Sequence, residues 1–134
     1  MLAQYIQLGR RSWNVLVYYN VNINNEEDYV EIEDSLTQLE CSQDDINNVF
    51  KTLVYKNTGF TFSNTEYKMS IVCISEATNI GQFVHTAVHE AKHVQSHICQ
   101  YYGIDEYSEA AAYLIGHLVR RMYAMLSKFI KAYV

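Results

Sequence analysis

At 134 residues the chain fits a single domain spanning residues 1–134, since roughly 100–200 residues per domain is usual; its 49% apolar and 19% charged residues exclude a disordered tail. A net charge of −5, with no run of Lys or Arg, argues against a nucleic-acid ligand. No stretch of about 18 consecutive apolar residues offers a membrane span, so a cytoplasmic protein that meets neither nucleic acid nor membrane is expected.

Three cysteines, Cys41, Cys73 and Cys99, are odd in number and form no CxxC pair. They suggest neither a disulfide framework nor a thiolate zinc site, and read as reduced, partly buried thiols. Twelve tyrosines each bring a large ring and a polar hydroxyl, suited to the margin of a core, a cleft or a partner interface.

In chain order, Met1 to Arg11 lacks a long apolar stretch and receives no element. Ser12 to Asn22 is dense in β-branched and aromatic residues, and YVEIED from Tyr29 alternates in the same manner, which predicts an antiparallel hairpin across the polar loop between them. The acidic residues Glu26 to Asp28 and Glu31 to Asp34 then read as a solvated loop and strand face. Ser42 opens SQDD, a hydroxyl cap with a carboxylate three residues on, and Ile46, Val49, Phe50 and Leu53 follow at helical spacing. GFTFS from Gly59 and KMSIVCIS from Lys68 predict a second hairpin, the latter strand buried on both faces. Thr78 or Asn79 can cap a helix from about Ile80 to Tyr102, Gly103 can end it, and a second long helix runs from about Tyr107 to Lys131. The fold class is therefore α+β: a small mixed or antiparallel sheet, a short helix, and two long C-terminal helices packed on the sheet.

The first long helix reads HTAVHEAKHVQSH, with His85, His89, His93 and His97 four apart and Glu90 after the second. Residues four apart rise about 6 Å along an α-helix and turn by only about 40°, so His89 and His93 can converge on one tetrahedral ion. Glu90 lies about 60° round from His93, placed to act on a water as a base rather than as a ligand. Val84, Ala87, Val88, Ala91, Val94 and Ile98 are expected to seat this helix on the sheet. His85 and His97 each stand about 12 Å of helical rise from the more distant ligand, with no glycine before Gly103 to bend the helix. They read as cleft-lining groups or as plain polar surface.

The third ligand must then come from elsewhere, and the second long helix offers Glu109 in its first turn. Ala111, Ile115, Leu118, Val119, Met122, Leu126 and Phe129 form that helix's core stripe and leave Glu109 on a flank, as a ligand or as a charge complementing the helix dipole. Asp105 and Glu106 are the other carboxylates nearby, Asp105 better placed as a cap. Gly116 would let the two helices approach closely. Tyr113 and His117 are weaker candidates for lining the cleft.

With HEAKH followed by EAAAYLIGHL, the chain resembles zincin-like metallopeptidases of the gluzincin type, and in particular small HExxH proteins of bacteria, their phages and mobile elements. The resemblance covers about the last 60 residues. It implies a zincin-like domain in which His89, His93 and Glu109 bind Zn2+ and Glu90 is the general base for hydrolysing a peptide or protein substrate. It also implies that the strand around Ser70 to Ser75 is the edge that holds an extended substrate. The rival expectation is a non-catalytic structural or binding protein on the same fold, a homo-oligomer or a component of a larger assembly such as a phage particle; a phage-encoded protein would then sit in the virion.

Overall fold

The computed structural model describes the backbone of residues 1–133 and the side chains of residues 1–129. The chain is α+β: a four-stranded mixed sheet between two pairs of helices. Strand β1 (Leu2–Leu8) leads through a short 3-10 turn into β2 (Trp13–Val21), then α1 (Glu26–Gln38) and α2 (Gln43–Leu53), the hairpin of β3 (Gly59–Asn64) and β4 (Met69–Ser75), and finally α3 (Ile80–Tyr102) and α4 (Glu109–Tyr133). The strand order is β1-β2-β4-β3, with β2 and β4 parallel and the two outer pairs antiparallel.

Strand periodicity divides the core between the two sheet faces. Trp13, Val15, Val17 and Tyr19 of β2, with Val72 and Ile74 of β4, pack under α3 and α4. Tyr18 of β2, with Ile71 and Cys73 of β4, packs against Ile32 and Leu36 of α1 and Ile46, Val49, Phe50 and Leu53 of α2. The continuous apolar run of β4 is thus explained by its central place and two covered faces.

The first hairpin forms on the other side of β2 from the one expected. The partner of β2 is β1, in register from Leu2↔Tyr19 to Leu8↔Trp13, and YVEIED lies within α1. Asn25 caps that helix by accepting from the Asp28 amide, and Glu26, Glu27 and Asp28 fill its first turn, where negative charge complements the exposed backbone N–H groups. Ile32 and Leu36, four apart, are its buried residues, so the period that governs is helical. In β1 the alternating Ile6 and Leu8 are buried, a two-residue signal too short to stand out.

The remaining elements follow their local signals. Ser42 accepts from the Asp45 amide at the start of α2, Asn79 from the Gln82 amide at the start of α3, and Gly103 ends α3 in the left-handed conformation at φ 68°. Ser108 rather than Asp105 caps α4, accepting from the Ala111 amide, while Asp105 accepts from the Tyr107 amide. Helix α4 folds back along α3: Gln95 Nε2 donates to the Ala111 carbonyl near one end, and Phe83 meets Phe129 at 5.0 Å between ring centroids near the other. In α3 the buried apolar residues are Phe83, Ala87, Ala91, Val94, Ile98 and Cys99. Val84 and Val88, expected in that stripe, are 40% and 39% exposed, and the seated face instead includes Phe83, Ala87, Ala91, Val94 and Ile98. The three cysteines are free and buried. No helix among the described residues is long and apolar enough to cross a membrane.

The close approach falls at a different glycine from the one expected. A Cβ on Gly116 would meet nothing within 4 Å, whereas one on Gly59 would sit 2.7 Å from Glu90 Cγ and 2.9 Å from Thr86 Cγ2. Gly59→Ala is therefore expected to destabilise the fold by about 1–3 kcal/mol through overpacking. Gly116→Ala should stabilise it by up to about 1 kcal/mol through helix propensity. Denaturant unfolding of both variants checks the contrast, and equal effects would contradict the placement of the contact.

Candidate metal centre

Strand β3 positions the site. Its alternation sends Phe60 and Phe62 against the α1/α2 core, while Gly59, Thr61 and Ser63 come against α3, meeting Glu90, Glu90 and His97 respectively. These three small residues let the strand run close along the helix. Glu90 is enclosed between them and is only 3% exposed.

His89 and His93 stand on the exposed side of α3, their Nε2 atoms 3.2 Å apart and their rings nearly perpendicular at 75°. Two nitrogens each about 2.0–2.1 Å from a tetrahedral ion lie about 3.4 Å apart, so the pair already has the required spacing. Glu90 Oε2 is 3.9 Å from His89 Nε2. His89, Glu90 and His93 each offer an atom within 4.8 Å of the others, a group able to hold a metal ion. Two imidazoles and a carboxylate suit a borderline cation such as zinc.

Burial raises the Glu90 pKa above the ordinary carboxylate value, opposed by the hydrogen bond from Thr61 and by the nearby His93 and His89. Thr61 Oγ1 donates to Glu90 Oε1 at 2.9 Å, so one carboxylate oxygen is held and Oε2 is left toward the histidines.

The other residues singled out by sequence are more dispersed. His85 is exposed, 6.3 Å between ring centroids from His89, and borders a surface depression with Asn79, Gly81 and Gln82. His97 is half-buried, 6.5 Å between centroids from His93, and its Nδ1 lies 2.6 Å from Ser63 Oγ. Glu109 is exposed in the first turn of α4 and is not a member of the compact group. Glu106 forms an ion pair with Lys92 at 3.5 Å. Tyr113 is 75% exposed, and His117 Nδ1 lies 3.3 Å from Arg120 Nη2 on the outer face of α4. Strand β4 is hydrogen-bonded on both sides, so the sheet edge beside α3 is β3, not the stretch from Ser70 to Ser75. The residues that sequence reasoning missed are Gly59, Thr61 and Ser63; their signal was the small or polar half of the GFTFS alternation.

Comparison with protein-family models, with curated proteins and with solved structures returns no match. The reading of the site therefore rests on its own geometry.

A buried acid whose folded pKa is raised holds its proton more tightly in the folded state, so its contribution to stability is lost as pH rises from the ordinary carboxylate value through the folded one. In metal-free protein Glu90→Gln is accordingly expected to be more stable than wild type at neutral pH, with the advantage shrinking as the pH falls from the raised folded value to the ordinary carboxylate value. Thermal unfolding of both proteins across that range checks it; an advantage independent of pH would contradict an ionised, buried Glu90.

Proposed function

We propose that the protein is a zinc-dependent peptide hydrolase. The observation that carries this reading is the convergence of two exposed imidazole nitrogens on a buried, oriented carboxylate within a single helix. His89 and His93 would hold the ion through Nε2. Glu109 is proposed as the third ligand, reached through the antiparallel return of α4 along α3, which the Gln95 to Ala111 hydrogen bond supports. A bound zinc ion would polarise the substrate carbonyl and lower the pKa of the attacking water toward neutrality.

Glu90 takes the proton of that water and passes it to the leaving amine. Its enclosure between β3 and α3 raises its proton affinity, which strengthens it as a base near neutral pH. Thr61 fixes the carboxylate so that the oxygen nearer His89 is the one that receives the proton. The outer edge of β3, with one side paired to β4 and the other free of strand partners among the described residues, offers backbone groups to an extended peptide.

A second reading is favoured by the shallow surroundings: the depressions beside His85 and His97 are open rather than enclosed, and Tyr55, Tyr67, Tyr107, Tyr113 and Tyr123 are exposed. On that reading the same fold serves a structural or binding role, in a homo-oligomer or a larger assembly, with the metal as a staple.

Glu90→Gln is expected to retain one zinc per chain and to lose peptide hydrolysis by roughly two to four orders of magnitude, the contribution of general base catalysis. His89→Ala should lose both metal and activity, and Glu109→Ala should weaken metal binding. Metal analysis with chelator-controlled cleavage assays separates these outcomes. Full metal content in His89→Ala would refute the site, and metal without turnover in the wild type would favour the structural role.

A further inference from the structure

Beside the metal-binding pair, one turn further along α3, a chain of hydrogen bonds runs from the core to the surface. Trp13 Nε1 donates to Ser70 Oγ at 3.0 Å, Ser70 Oγ lies 2.6 Å from Ser63 Oγ, and Ser63 Oγ lies 2.6 Å from His97 Nδ1. The direction of this chain follows from its buried end. An indole N–H can only donate, so Ser70 accepts there. Ser70 is fully buried, and among the described residues the remaining partner of its hydroxyl is Ser63, so Ser70 donates its hydrogen to Ser63. Ser63, accepting from Ser70, has its own hydrogen free for His97 Nδ1, the arrangement that leaves the ring hydrogen on Nε2, across the ring.

Nothing among the described residues hydrogen-bonds to that Nε2. The ring lines a depression of about 340 Å³ together with Ser63, Thr65, Gln100 and Tyr101. Tyr101 forms an aromatic wall, steadied by an edge contact to Trp13 at 5.8 Å and by the Lys68 ammonium 5.9 Å from its ring centroid. Among the described residues His85, on the opposite side of the metal-binding pair, has no comparable chain to fix its ring. Among those residues the cleft is therefore asymmetric, with a fixed ring on the side toward the C-terminus of α3.

We propose that this depression is a peptide-backbone subsite, in which the Nε2–H of His97 donates to a carbonyl or carboxylate oxygen of the bound peptide. The proposal rests on the peptide-hydrolase reading above. An extended chain advances about 3.3–3.6 Å per residue, and the His97 ring is 6.5 Å from that of His93, so the oxygen it receives belongs about two residues from the bond held at the metal pair. Ser63 is a positioning residue: it sets which ring nitrogen carries the hydrogen and leaves binding to His97.

Two measurements on the full chain test this. Nitrogen-detected NMR of histidine-labelled, metal-free protein is expected to show His97 in the Nε2–H form, shifting to a mixture in Ser63→Ala; a dominant Nδ1–H form in the wild type would overturn the proposal without touching the hydrolase reading. The second uses zinc-loaded Glu90→Gln protein, which binds without turnover, titrated with N-acetyl-tetra-alanine as the free acid and as the amide. Adding His97→Phe should weaken binding roughly five- to tenfold, the worth of one hydrogen bond, with zinc affinity unchanged. Weakening of both peptides assigns the contact to a backbone carbonyl, and weakening of the acid alone assigns it to the terminal carboxylate. Undiminished binding in folded His97→Phe would overturn the subsite alone, whereas no binding of either peptide to the Glu90→Gln parent would overturn the hydrolase reading and the subsite with it. Should His97→Phe fail to fold, Ser63→Ala provides the same comparison, with a smaller loss expected.

Discussion

How closely β3 can run beside α3 decides whether Glu90 is a surface charge or a buried carboxylate. A glutamate on an isolated amphipathic helix next to two exposed histidines would itself be solvated and would titrate as an ordinary carboxylate. Gly59 removes the side chain that would strike Glu90 and Thr86, Thr61 substitutes a hydroxyl donor for lost water, and the strand closes over the carboxylate. Burying a charge is costly unless hydrogen bonds and opposite charges offset it. Here one hydroxyl and two neighbouring imidazoles do so only in part, since the proton affinity stays raised. Burial therefore leaves the proton affinity of this carboxylate raised, an effect that a positive charge brought beside it would oppose.

That arrangement also explains the division of the sheet. The inner strands β2 and β4 are apolar on both faces because helices cover both. The outer strand β3 keeps apolar residues only toward α2 and turns small and hydroxyl-bearing residues to α3. The candidate site is therefore confined to the seam between an edge strand and one helix, while the buried mass lies elsewhere.

Sequence reasoning worked where one period or one cap dominated. The Ser42 cap with Ile46, Val49, Phe50 and Leu53, the Asn79 cap, the Gly103 terminus and the doubly buried β4 all express local preferences that packing reinforced. It went astray at YVEIED, where Tyr29, Val30 and Ile32 fit an alternating strand as well as a helix, and the Asn25 cap with its acidic first turn decides for the helix. In the site, His89, Glu90 and His93 were readable because their juxtaposition is built into a single helix. Gly59, Thr61 and Ser63 were not, because their role depends on which face of β3 meets α3, a relation between segments that no local period encodes. Gly116 was misread for the same reason: spacing placed it on a face, but only the packed helices show that the face is open.

The parallel pairing of β2 with β4, Asn14 opposite Met69, has a consequence for the order in which the site matures. Contacts between distant segments form late, because loop-closure entropy must be overcome before they reward the chain. His89 and His93 belong to one turn of helix and can meet as soon as α3 coils, on a timescale of about a microsecond. The enclosure of Glu90 requires β3 docked on a β4 that has itself found β2. A folding chain can therefore bring the two imidazoles together early, well before it has assembled the dry seam that encloses the carboxylate; the two halves of the candidate site form at separate stages of folding.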